Sequence, residues 1–93
     1  MYKVYFKKTA AKELSRLPIA VIKRIQKVVI QLEINPFPDN SRKLVGLKGL
    51  YRIRVGDYRV VYLMEKTVKI ITVTKIGHRK EVYKRIFIKH KKN

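Results

Sequence analysis

The chain contains no cysteine, and only six of its 93 residues are acidic. Without cysteine there is neither a disulfide framework nor a zinc–thiolate site, and thiols say nothing about the compartment. The histidines His78 and His90 and the carboxylates Glu13, Glu33, Asp39, Asp57, Glu65 and Glu81 show no metal-ligand spacing, so neither a metal nor a cofactor is expected. No apolar run exceeds about five residues, against the roughly twenty a spanning helix needs, and the start MYKVYFKK has no secretory h-region. A membrane is therefore not an expected partner, and a cytoplasmic setting is. No repeat, linker or low-complexity tract interrupts the chain, whose length suits one domain over residues 1–93.

What is plentiful is positive charge. Twenty-four Lys and Arg against six Asp and Glu give a formal net charge of +18, which implies a polyanionic partner: RNA, DNA, an acidic protein segment or a lipid surface, the last disfavoured by the absence of a spanning run. The stretch Tyr51 to Tyr62, YRIRVGDYRVVY, shows where that charge is organised. Residues on either side of Gly56-Asp57 alternate apolar and polar with period two, and a Gly-Asp pair between two such runs signals a two-residue β-hairpin. In that register Val55 faces Tyr58, Ile53 faces Val60 and Tyr51 faces Tyr62, an apolar face suited to a core. The other face holds Arg54 directly across from Arg59, with Arg52 two residues along. Like charges directly opposite destabilise a sheet. A phosphate-gripping site gains from the pairing, because the planar guanidinium matches phosphate oxygens bidentately. A solvated basic face is the plainer alternative.

The rest of the chain supplies a scaffold. Lys3 to Phe6 read as a strand, and Thr9 is placed to cap a helix over Ala10 to Leu17. Pro18 restarts the chain, and the spacing Ile22, Ile25, Val29, Leu32 predicts a second amphipathic helix ending near Asn35-Pro36. Asn35 to Arg42, NPFPDNSR, reads as a loop, and LVGLKGL leads into the hairpin. Val68 to Ile76 is rich in β-branched residues and follows a short turn at Glu65 to Thr67. The expected class is α+β, in the order β-α-α-β-β-β with a short C-terminal helix over HRKEVYKRIF, the mainly antiparallel sheet packing on a helical hairpin. That helix would put Arg79 and Tyr83 on one face, and it could bring His78, Arg79 and Tyr83 near the arginines. The register of the last strand is open by one position, and a slip would exchange its faces.

These residues suit cleavage or binding of a phosphodiester. Attack by a ribose 2′-hydroxyl on its neighbouring phosphate needs cations for the added charge, a proton acceptor for the nucleophile and a proton donor for the leaving oxygen. Arginines supply the first but stay protonated, so they are poor acceptors. His78 is either the acceptor or a surface residue at a strand end, and Tyr83 a donor, a base-stacking ring or a packing residue.

The array KLVGLKGLYRIRVGDYRVVY followed by KIGHRKEVY, from Lys43 to Tyr83, resembles the signature of RelE-type toxins in the RelE/ParE superfamily. The resemblance implies a small basic protein that cleaves messenger RNA in the ribosomal A site without metal, leaving a 2′,3′-cyclic phosphate and a 5′-hydroxyl, and that a cognate antitoxin holds inactive. On it, Arg59 matches the hairpin arginine that contacts phosphate, Arg79 the arginine near the chain end, and Tyr83 the tyrosine of the closing VY. Arg52 and Arg54 stand where the best-studied branch has lysine, and His78 where a lysine can sit. The expected catalytic set is thus Arg54, Arg59, His78, Arg79 and Tyr83, with Arg52, Arg54, Arg59 and Arg79 binding RNA. The alternatives are a ParE-like inhibitor of DNA gyrase and a basic RNA-binding domain without catalysis.

Overall fold

The computed structural model describes residues 1–79 and Val82. Its elements in chain order are β1 (Lys3–Phe6), α1 (Lys8–Ser15), α2 (Ile19–Leu32), β2 (Ser41–Lys43), β3 (Leu50–Val55), β4 (Tyr58–Glu65) and β5 (Ile70–His78). They form a five-stranded sheet in the order β1-β5-β4-β3-β2, antiparallel except for the β1–β5 pair. The α+β class and the helical hairpin on one sheet face agree with the sequence. Three details correct it. Helix α1 begins at Lys8, so Thr9 lies inside it and Lys7 is the uncapped N-cap; the Lys7 N–H donates to the Val73 carbonyl at 2.9 Å, so strand pairing rather than a side-chain cap fixes the helix start. Ser41–Lys43 is a strand rather than loop, because it pairs with Tyr51–Ile53 of β3. The last strand runs on to His78, which is where the terminal helix was expected to begin. The remainder of that helix, Tyr83 included, lies outside the described residues, apart from Arg79 and Val82.

The core lies between the helices and one face of the sheet. Ala10 and Leu14 of α1 and Ile25, Val29 and Leu32 of α2 pack on Ile53, Val55, Val60, Tyr62, Met64, Ile71, Val73 and Ile76. Each full burial of such an aliphatic side chain contributes about 1.5–3 kcal/mol, so this face decides register. Along β5 the fully covered positions run Ile71, Val73, then Ile76, a spacing of two followed by three. The extra residue is a β-bulge: Val61 pairs with Lys75 while Tyr62 pairs with Val73, leaving Thr74 between them, its hydroxyl 3.3 Å from the Val61 carbonyl. A bulge re-aims every residue beyond it. Gly77 therefore lies opposite Arg59, and His78 opposite Tyr58.

Beyond Val73, β5 has lost its β1 neighbour, and Glu13 of α1 covers the exposed edge. Its Oε1 accepts the Ile76 N–H at 3.0 Å and its Oε2 pairs with the Lys75 ammonium. Among the described residues no helix is long and apolar enough to cross a membrane.

Tyr62 anchors the other end of the core. It is fully buried, stacks on Tyr51 at 5.8 Å and donates its hydroxyl to the Pro36 carbonyl at 2.8 Å. Burial pushes its phenol above the ordinary tyrosine value, opposed by a hydrogen bond with Ser41 and assisted by Tyr51. The unfolded chain's tyrosine ionises near pH 10 while the folded phenol keeps its proton, so unfolding above that pH releases a proton. This contribution to stability is fully present below about pH 10 and is lost as pH climbs from there through the folded value. Tyr62→Phe should cost about 0.5–1.5 kcal/mol at pH 7 through the lost bond to Pro36, and the gap between the two proteins should narrow above pH 10. Urea melts of both proteins from pH 7 to 11 check this; a constant gap would contradict it, and comparing the two cancels lysine titration.

Candidate active site

The Gly56-Asp57 turn is what places the arginines. Gly56 has φ +60° whereas Asp57 has no positive φ, the pattern of a type II′ turn, whose twist matches that of the strands it joins. The pairs Val55–Tyr58, Arg54–Arg59, Ile53–Val60 and Tyr51–Tyr62 follow, the register the sequence alternation predicts. Arg54 and Arg59 therefore stand side by side on the face away from the helices. A second row lies beside them: Arg42 of β2 pairs with Arg52 of β3, which pairs with Val61, which pairs with Lys75. Reading 35–42 as loop hid Arg42; only the non-local pairing of β2 discloses it.

The arginines differ in how they are held. Arg59 donates from Nη1 to the Gly56 and Tyr58 carbonyls at 3.2 and 3.1 Å, and Arg42 donates from Nη1 to the Asp39 and Ser41 carbonyls at 2.8 and 2.7 Å. Each clamp fixes one nitrogen and leaves the other donors of the fork for a ligand. The Arg52 and Arg54 guanidinium groups have no acceptor among the described residues. Lys75–Glu13 is the only ion pair among them, so among the described residues no carboxylate pairs with an arginine of this face. Anionic oxygen atoms are the chemistry that such a face lacks.

The sequence-predicted residues are only partly brought together. Arg52, Arg54 and Arg59 share the face, and the Arg79 N–H donates to the Asp57 carbonyl at 2.9 Å, which fixes the Arg79 main chain at the hairpin turn. Val82 is buried against Val61, Leu44, Leu47 and Leu50, a small second cluster on the arginine face, and a methyl group added at Gly77 would lie 3.6 Å from its Cβ. Val82 thus lies on this face. His78 does not join the arginines: its ring meets that of Tyr58 edge-on, with centroids 6.0 Å apart, on the helix side of the sheet. The bulge at Thr74 is the cause, since it exchanges the faces of every residue after it. Tyr83 lies outside the described residues. A further cation comes from α2, where Arg24 brings its guanidinium to within 3.4 Å of the position a Gly56 Cβ would occupy; no sequence periodicity links the two.

Because the Arg54 guanidinium has no hydrogen-bond partner to lose, it tests the cost of the pairing better than clamped Arg59. Arg54→Thr should relieve a repulsion of about 0.2–1 kcal/mol and put a strand former in the ladder. The melting temperature should rise by up to about 4–8 °C, most at low salt. Phosphate should narrow the difference by stabilising the parent more than the variant. A variant that melts below the parent in low-salt chloride would show that the pair carries no strain.

Comparison with known proteins sets this geometry in a family. Residues 4–83 match the family described as the ParE toxin of the type II toxin–antitoxin system, parDE. The chain is 33% identical over 85 residues to toxin RelE3 of Methanocaldococcus jannaschii, covering 87% of this chain and 94% of that protein. It superposes with a TM-score of 0.77 and 35% identity on the archaeal RelE–RelB complex from Pyrococcus horikoshii, covering 87% of this chain and 98% of the matched one. For the isolated E. coli RelE toxin the values are 0.75 and 26%, covering 96% and 98%. The chain belongs to the RelE/ParE superfamily and is a RelE-type toxin of a type II toxin–antitoxin system.

Proposed function

We propose that this toxin is a metal-independent endoribonuclease that cuts messenger RNA on the ribosome, in the cytoplasm, by attack of a 2′-hydroxyl on the adjacent phosphate. The observation that carries the reading is the Arg54–Arg59 pair, two guanidinium groups opposed on the face away from the helices, with no carboxylate of the described residues paired to either. As the 2′-oxygen adds to phosphorus, the phosphoryl oxygens gain negative charge, and donors already in place stabilise that charge more than the ground state. Arg59, clamped by the turn carbonyls, needs no reorganisation to do so. Arg54 gives the second fork and Arg79 approaches from the turn. Tyr83 is assigned the leaving 5′-oxygen or the stacking of a base. The proton of the 2′-hydroxyl passes to water or to a group of the ribosome, because His78 faces Tyr58 rather than the arginines.

The partner is a cognate antitoxin, as the RelE–RelB neighbours suggest. An apolar groove lined by Val28, Ile34, Pro38 and Ile53 beside α2, flanked by exposed Ile30, is the surface we assign to it.

The match to the ParE family description keeps a second reading in view, inhibition of DNA gyrase. Induction of the toxin in cells separates the two. The ribonuclease reading expects cuts within translated messages, at positions set by the reading frame, and intact chromosomal DNA. Gyrase-dependent DNA breaks with intact messages would favour the second.

A further inference from the structure

We propose that Arg42 and Arg52 form a second phosphate subsite, which holds the phosphate next to the one gripped by Arg54 and Arg59 on the same RNA strand. This rests on the RNA-binding part of the function proposed above and extends it from one phosphate to two. Two observations point there. The first is that the sheet repeats an unfavourable arrangement: Arg42 lies opposite Arg52 just as Arg54 lies opposite Arg59, on the same face. One opposed pair of cations is a local cost, and a second beside it, with no carboxylate paired to either, marks a surface shaped for more than one anion. The second is that both pairs are built alike. In each, one arginine is clamped through Nη1 by two main-chain carbonyls, Arg42 by those of Asp39 and Ser41 and Arg59 by those of Gly56 and Tyr58, while its partner has no acceptor among the described residues. A clamped fork loses less freedom when it binds, and an unclamped partner adjusts to the ligand.

The spacing suits consecutive phosphates. The pairs are offset by two residues along β3 and by one strand across the sheet, which puts their centres roughly 8 Å apart, within reach of successive phosphates of an extended strand for side chains of this length. Asn40 holds the two together: its carbonyl accepts the Arg54 N–H at 3.4 Å, and its amide donates to the Arg54 carbonyl at 3.0 Å, tying the loop that carries Arg42 to β3.

Binding of two short probes tests the subsite without any cutting. These are a 2′-O-methyl dinucleoside monophosphate, with one phosphate, and the corresponding trinucleoside diphosphate, with two; neither has a 2′-hydroxyl able to attack. The parent protein should bind the second about tenfold more tightly than the first, as a further charge-assisted contact implies. That gain should vanish in Arg42→Ala, in Arg52→Ala and equally in Arg59→Ala, because each leaves one working pair, and it should persist in the helix-surface control Lys23→Ala. The Arg52 guanidinium makes no hydrogen bond within the described residues, so Arg52→Ala reports on binding even if Arg42→Ala loosens its loop. Loss of either arginine should also lower the slope of log K against log salt for a longer RNA by about 0.7. A gain that survives in both Arg42→Ala and Arg52→Ala, or a parent that shows none, would overturn the subsite. Cleavage of ribosome-bound message, measured on the same proteins, bears on the other claim: a parent that shows the gain but never cuts keeps the subsite and loses the nuclease.

Discussion

Arg59→Ala should lower the rate of message cleavage on the ribosome by about 10²–10³-fold in kcat, the usual cost of removing one donor from a site that stabilises developing charge. The fall should appear in kcat rather than KM, because Arg59 acts most strongly on the charge that develops only as the 2′-oxygen attacks. Fold should survive the change. Arg59 is on the face away from the helices, and its hydrogen bonds go to carbonyls of the exposed turn rather than into the core. Circular dichroism and the melting curve confirm that, while single-turnover cleavage of ribosome-bound message gives the rate. Arg59→Lys should recover only part of the loss, since an ammonium brings the charge without the planar fork. Full toxicity in a folded Arg59→Ala protein would remove the nuclease assignment.

Naked RNA should be cut at least about 10²-fold more slowly than the same message in the ribosomal A site. Among the described residues, the arginine face offers cations and no side chain able to take a proton at neutral pH, and a missing general base costs about 10²–10⁴-fold. His78, the one described side chain with a suitable reference pKa, is turned toward Tyr58 by the bulge at Thr74. Paired arginines on a sheet face also do little to align a 2′-oxygen with the departing 5′-oxygen, so the alignment must come from outside, and alignment is worth several further orders of magnitude. Equal rates on naked and ribosome-bound RNA, measured at one concentration of toxin, would mean that the toxin carries its own base.

The hairpin was legible in the sequence because its information is local. A Gly-Asp turn and strict alternation from Tyr51 to Tyr62 leave one register, and Arg54 meets Arg59 in it. Helix α2 was legible for the same reason, through the period of Ile22, Ile25, Val29 and Leu32. What stayed hidden is non-local. Ser41–Lys43 has three residues and no periodicity of its own, and becomes a strand only because β3 offers it an edge. The extra residue at Thr74 follows from how Val61 and Tyr62 meet β5, yet it decides which face His78 takes. Covered positions at Ile71, Val73 and Ile76 are its trace in the sequence, a break in period two that several neighbouring apolar residues obscure. Arg24 reaches the turn because α2 packs over the hairpin, a tertiary fact with no sequence signal. The family resemblance carried over the residues of the hairpin, and the fold added Arg42, which the motif does not contain.

The chemistry of the cut ends tests the central claim most directly. A message cleaved on the ribosome by the purified toxin should carry a 5′-hydroxyl on its downstream fragment and a 2′,3′-cyclic phosphate, or the 3′-phosphate it opens to, on its upstream fragment, because a 2′-oxygen that attacks phosphorus expels the 5′-oxygen and keeps the phosphate. Mass spectrometry of the upstream fragment, with kinase labelling of the downstream one, reads both ends. A 5′-phosphate with a 3′-hydroxyl would mean that water attacked instead, and would contradict the account.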